Sequence, residues 1–182
     1  SPHHTISNVA MVGGGTIPQP GEISLAHNGI LFLDELPEFQ RQVLEVLRQP
    51  LEDRVVNISR ARMSLSFPAS FMLVASMNPS PSGGFYDPDN PSSDPEHVVK
   101  RYLNKISGPL LDRIDLHAEV SPIPFDELSR KSQEESSASV RQRVCMARNI
   151  QHRRYRDAKG IFCNAQLPPK LIRTFCTLDS TG

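Results

Sequence analysis

The sequence predicts an α/β fold built on a parallel sheet, and three observations predict it. Two continuous apolar runs, 30–33 (Ile-Leu-Phe-Leu) and 71–75 (Phe-Met-Leu-Val-Ala), suit strands buried on both faces, as parallel strands are. Between them Phe39, Val43, Val46 and Leu47 recur at helical spacing. Residues 54–67 then alternate apolar and polar, at the period of a half-exposed hairpin.

Taken in order, residues 1–28 are rich in Gly, Pro, Ser and His and read as loops with a hairpin. The run 30–33 is the first buried strand. Pro37 and Glu38 open a helix, because proline's missing N–H goes unpaired in a first turn anyway, and Pro50 closes it. The hairpin 54–67 carries Ser59-Arg60-Ala61-Arg62 at its tip, so the tip is basic. The second buried strand, 71–75, runs into Ser76-Met77-Asn78-Pro79 and a Pro/Ser/Gly/Asp loop to Pro95, expected to be mobile and not catalytic. A short helix at 96–105 follows, and 114–120 reads as a strand preceded by Leu110-Leu111-Asp112-Arg113. After Pro124 the composition changes. A Ser-rich linker at 132–139 leads to a helix with apolar Val140, Val144, Ala147 and Ile150, its other faces carrying Arg141, Arg143, Arg148, Arg153, Arg154 and Arg156.

With 182 residues the chain can hold one domain with a sizeable core and a small second lobe. Its net charge is zero, so any nucleic-acid surface must be local. No apolar run reaches the roughly 18 residues of a membrane span, and no signal peptide is present. Cys145, Cys163 and Cys176 are too far apart for a disulfide framework or zinc knuckle, and a reducing cytoplasm is the default location. The start without Met and the end without a closing element read as cuts through a longer protein.

Chemistry enters where the first strand ends in Asp34-Glu35. Side chains leaving the carboxyl end of a parallel strand face the crevice where α/β sheets bind ligands. There Asp34 can hold magnesium through its waters, and Glu35 can orient and deprotonate a water attacking a phosphate. The pair alone also suits an acidic helix cap. Asn78 stands after the second strand, placed to read a γ-phosphate, although Asn before Pro79 is also a good turn former. Arg113 precedes the last strand, placed to reach a neighbouring subunit's phosphate, although Asp112 and Asp115 could make it an ordinary surface ion pair. The ordered set is far less common by chance than any one member.

The stretch from Pro20-Gly21-Glu22-Ile23-Ser24-Leu25 through Leu33-Asp34-Glu35-Leu36-Pro37-Glu38-Phe39 closely resembles the Walker B region of magnesium-chelatase-like AAA+ ATPases. The likeness continues through Val43-Leu44-Glu45-Val46-Leu47-Arg48-Gln49-Pro50-Leu51-Glu52-Asp53, Met77-Asn78-Pro79 and Ser107-Gly108-Pro109-Leu110-Leu111-Asp112-Arg113-Ile114-Asp115-Leu116. Together with the opening Ser1-Pro2-His3-His4-Thr5-Ile6-Ser7, it is most similar to the ComM/YifB branch.

The resemblance implies a partial AAA+ core over 1–125, with 1–28 as the insertion in helix two and 54–67 as the pre-sensor hairpin. It makes 126–182 a linker and the start of an α-helical lid. Asp34 and Glu35 would be the Walker B pair, Asn78 sensor one and Arg113 an arginine finger acting in trans. The cofactors implied are ATP and Mg2+, in a hexameric ring motor acting on DNA that Arg60 and Arg62 would touch through phosphates. A chelatase motor for metal insertion and a non-catalytic assembly or DNA-binding module are the alternatives. The basic helix 141–156 reads as a solvated face, and His3, His4, His27 and His117 as structural loop histidines.

Two departures qualify the resemblance. Gly13-Gly14-Gly15-Thr16 has no following Lys, so the sequence holds no G-x-x-x-x-G-K-S/T phosphate loop. Ser80, Ser82, Ser92 and Ser93 stand where the branch often carries cysteines, and serine is a poor zinc ligand. Without the phosphate-loop strand between them, strands 71–75 and 114–120 should leave a gap, closed by rearrangement or visibly loosened.

Overall fold

The computed structural model describes residues 1–60, 63–84, 93–120 and 135–177 and divides the chain into two units, Ser1–Glu119 and Val120–Gly182. In the first unit, Ser7 accepts a hydrogen bond from the Ala10 N–H and so caps α1, Asn8–Val12. Two short strands, β1 (Gly13–Gly14) and β2 (Gln19–Pro20), pair antiparallel before α2, Glu22–Leu25. Gly13 has φ 107°, and a Cβ there would collide with the Gln19 carbonyl, so the turn requires glycine. Met11 and Ile23 are fully buried, so this segment is a working part of the core and more than a set of loops.

The central sheet is one parallel pair. Strand β3 (Ile30–Leu33) lies beside β6 (Met72–Ala75), with Ile30 opposite Met72 and Leu33 opposite Ala75. Burial corrects the expectation for β3. Leu31 and Leu33 are sealed in the core, but Ile30 is 60% exposed and Phe32, Met72 and Val74 share its open face. Among the described residues only one face of the pair is covered, the one that carries Leu31 and Leu33 into the core cluster.

The expected helix from Pro37 to Pro50 is broken. A 3-10 turn, Leu36–Glu38, is followed by α3, Arg41–Glu45, and α4, Arg48–Asp53. Pro50 does not end a helix; it sits in the first turn of α4, where a missing N–H again removes nothing. The break lets Phe39, Val43, Leu44 and Leu47 all reach the core with Leu33 and Leu36. Strands β4 (Val55–Arg60) and β5 (Met63–Pro68) form the expected antiparallel hairpin, its base closed by the Ala69 N–H donating to the Arg54 carbonyl at 2.8 Å. The tip residues Ala61 and Arg62 lie outside the described residues.

Helix α5, Glu96–Leu103, agrees with the short helix expected at 96–105, and α6, Gly108–Leu111, follows. Residues 114–120 form no strand, contrary to expectation, and Leu116 is 89% exposed. An apolar alternation becomes a strand only with a ladder partner, and the described residues provide none beside β6.

In the second unit α7, Ser137–Arg154, is capped by Ser136, which accepts from the Ser139 N–H. The helix expected from the period of Val140, Val144, Ala147 and Ile150 is present, and no residue of it is buried. The unit's buried side chains among the described residues are Tyr155 and Ile161. Tyr155 donates its hydroxyl hydrogen to Asn164 at 2.9 Å and meets Phe175 of α8, Pro169–Phe175, edge to face.

Candidate functional site

The parallel register builds the site. Because Leu33 pairs with Ala75, the residues that leave the two strands, Asp34 and Ser76, stand side by side. The Ser76 hydroxyl donates to Asp34 Oδ1, and the Glu35 N–H donates to the same oxygen at 3.1 Å. The ladder runs on around them: the Ser76 N–H donates to the Leu33 carbonyl at 3.0 Å, and the Leu36 N–H to the Ser76 carbonyl at 2.9 Å. Asp34 is thus a carboxylate held in one orientation at the open end of a sheet.

Glu35 is the bend. Its backbone lies in the left-handed region, φ 52° and ψ 52°, because the chain turns from β3 straight into a 3-10 turn whose Leu36 and Pro37 are buried. A non-glycine residue there costs about 1–2 kcal/mol. The result is that the Glu35 side chain projects outward. The N-terminal segment crosses above it: the Ser1 hydroxyl donates to the Phe32 carbonyl at 3.0 Å, and His4 Nδ1 stands 3.7 Å from Glu35 Oε2. Ser1, Pro2, His3, His4, Asp34 and Glu35 line a cleft of about 210 Å³.

Asn78 is exposed three residues beyond β6, and its backbone lies near enough to the Tyr102 hydroxyl of α5 to act on its ionisation. Burial first, and then the negative charges of Glu38 and Glu35, push that hydroxyl above its ordinary value, while the Asn78 backbone opposes them. Arg113 is bonded elsewhere. It donates to the Pro109 carbonyl and to Glu52 Oε2 of α4, each at 2.6 Å, and not to Asp34 or Glu35. Arg60 ends β4 opposite Met63, and Arg62 lies outside the described residues. His27 has a structural role, its Nδ1 accepting from the Ser70 N–H at 3.1 Å.

The described ends of the loop 79–95 are tied together. The Ser82 N–H donates to Asp94 Oδ2 at 2.8 Å, and Ser80 is buried beside Ser82. Bonds from the Ser82 side chain, the Ser82 backbone and the Ser80 side chain hold the Asp94 carboxyl below the usual range. Residues 85–92 of that loop are outside the described residues.

The oxygen donors Asp34 and Ser76 suit a hard cation. No group of three or more His, Cys, Asp or Glu converges among the described residues, so a full protein cage for a metal is not formed there. Magnesium commonly makes do with one or two carboxylates, water and substrate phosphates, and Asp34 fits that habit. The sequence reading missed Ser76 and His4. Parallel pairing of the strands would have pointed to Ser76; nothing in the spacing pointed to His4, which reaches the site only by tertiary folding.

Comparison with known proteins places the chain in a family. The family model "Magnesium chelatase, subunit ChlI" matches residues 1–128, and its C-terminal counterpart matches 134–182. The chain is 51% identical over 182 residues to the uncharacterized protein YifB of Escherichia coli, covering 99% of this chain and 34% of that protein. It is 52% identical over 180 residues to competence protein ComM of Haemophilus influenzae, covering 98% and 34%. It is 27% identical over 126 residues to the chloroplastic magnesium-chelatase subunit ChlI of rice, covering 69% and 25%. The chain spans about a third of the length of the curated relatives YifB and ComM, at 34% of each.

Proposed function

Because this chain belongs to the magnesium-chelatase subunit ChlI family, in its ComM/YifB branch, we propose that it carries the metal-and-water half of an AAA+ ATP-hydrolysing site. One observation carries the reading: the carboxyl ends of the parallel pair β3–β6 hold an oriented Asp34, an outward-turned Glu35 and, three residues past β6, Asn78. Asp34 is the residue that would hold Mg2+ through its waters; when bound, the ion neutralises charge on the β- and γ-phosphate oxygens. Glu35 orients the attacking water and accepts its proton, and Asn78 reads the γ-phosphate. Arg113 serves a neighbouring subunit in a hexameric ring, which requires it to leave Glu52.

The chain contains no phosphate-cradling glycine loop, so ATP turnover belongs to the longer protein and not to these residues alone. We assign residues 1–125 to the AAA+ core, with 1–28 as the helix-two insertion and 54–67 as the pre-sensor hairpin, and 126–182 to the linker and lid. DNA is the proposed partner and the cytoplasm the proposed location. Identity of 52% to a protein named competence protein ComM supports the first. Compatible with the second, no helix among the described residues is long and apolar enough to cross a membrane. Arg60, which ends β4, and Arg62, which lies outside the described residues, are the proposed cationic donors to a phosphate backbone.

The test uses the full-length protein. Glu35→Gln should abolish ATP turnover while leaving Mg-ATP binding intact, and branched or single-stranded DNA should stimulate the unaltered protein. Undiminished turnover in Glu35→Gln would overturn the site. Turnover indifferent to DNA would overturn the DNA motor and favour the chelatase-type alternative.

A further inference from the structure

The N-terminal segment has more structure than a surface strap requires. Ser1 is anchored to the Phe32 carbonyl on β3. His3 is fixed by Thr5, whose hydroxyl lies 3.0 Å from its Nδ1, and His3 stacks on His4 with ring centroids 4.0 Å apart. His4 also meets Phe39 edge-on at 6.4 Å, and Phe39 is a buried core residue. The His4 ring thus lies near both His3 and Phe39. The atom it presents to the cleft is Nδ1, 3.7 Å from Glu35 Oε2.

Glu35 needs such a partner. It sits on a bend, its side chain is 55% exposed, and the backbone bonds around it orient Asp34 but leave the Glu35 carboxylate unheld. A general base is effective only when its oxygen is held within hydrogen-bond reach of the water it deprotonates. An imidazole with its proton on Nδ1 is a donor of the right kind, and it stands 3.7 Å from the carboxylate.

We infer that His4 is a positioning residue for Glu35: its Nδ1–H pins one carboxylate oxygen so that the other faces the attacking water. This rests on the reading of Glu35 as the water-activating base. In that role His4 acts through Glu35, so its loss should lower the rate of the chemical step and not the affinity for Mg-ATP.

The experiment is steady-state ATP turnover by the full-length protein carrying His4→Ala, His4→Asn or Glu35→Gln, with Mg-ATP affinity and thermal unfolding measured in parallel. Asparagine places an N–H donor close to the position of Nδ1. Displacing a catalytic group by about 1 Å costs up to about a hundredfold in rate. His4→Ala should therefore lower kcat by about tenfold or more, with KM and Mg-ATP affinity within about twofold, and His4→Asn should restore most of it. Glu35→Gln separates the two levels. If it leaves turnover intact, the reading of Glu35 has failed. If it abolishes turnover but His4→Ala keeps full kcat, the positioning role alone has failed. A His4→Asn protein as slow as His4→Ala but with an unchanged unfolding temperature would overturn it equally.

Discussion

The one-sided burial of the β3–β6 pair can be tested with two substitutions on one strand. Leu33 is 0% exposed, within the cluster formed by Met11, Ile23, Leu36, Phe39, Val43 and Leu44. Truncating a fully buried leucine removes its transfer free energy and leaves a cavity, together about 3–5 kcal/mol. Ile30, three residues earlier on the same strand, points to the open face and is 60% exposed, so Ile30→Ala removes little packing and should cost under about 1 kcal/mol. For a protein of this size each kcal/mol moves the unfolding midpoint by about 2–4 °C. Leu33→Ala should thus lower the midpoint of the 182-residue chain by about 6–20 °C, and Ile30→Ala by no more than about 4 °C. Thermal or urea unfolding followed by circular dichroism measures both. Equal losses at the two positions would refute the argument, since they would mean that Ile30 is packed against something as completely as Leu33 is.

Other expectations follow from the site. Ser76→Ala removes the hydroxyl that orients Asp34; the lost bond is worth about 1 kcal/mol, so the Mg2+ concentration giving half-maximal ATP turnover in the full-length protein should rise about fivefold. Glu35→Gly relieves the left-handed backbone and should leave the chain as stable or more stable by about 0.5–1 kcal/mol in urea unfolding, while ATP turnover is lost. Asp94 is held below the usual carboxylate range, so its contribution is complete above the ordinary Asp value and disappears only as pH falls through the lower folded value. In an acid titration by NMR, the Ser82 amide resonance should shift below the ordinary Asp range, and Asp94→Asn should abolish that shift.

Much of the fold was legible because its signals are local. Continuous apolar runs marked β3 and β6, alternation marked β4 and β5, and a helical period marked α7. What failed depends on contacts a periodicity does not contain. Pro50 was compatible with ending one helix or opening the next, and packing of Leu44 and Leu47 chose the second. The alternation at 114–120 marked a strand-competent segment, but a strand needs a ladder beside it. Likewise the apolar run 30–33 could not tell that only alternate residues would be covered. At the site, Asp34, Glu35, Asn78 and Arg113 were legible as types at strand and helix ends. The role of Ser76 came from strand pairing, and that of His4 from a contact across 31 residues between His4 and Glu35.

The register of β3 against β6 has a consequence for how this chain tolerates change. Leu33 faces Ala75 through backbone hydrogen bonds, so the meeting of Asp34 with Ser76 is written in main-chain geometry and not in the identity of neighbouring side chains. Point substitutions on the open face at Ile30, Phe32, Met72 and Val74 leave that meeting where it is. Loss or gain of a single codon within either strand does not, because a one-residue slip turns every later side chain to the opposite face. Genetic variation here should therefore be permissive in spelling and strict in length: many amino acids at the open positions, but no insertion or deletion between residues 30 and 34 or between 72 and 76.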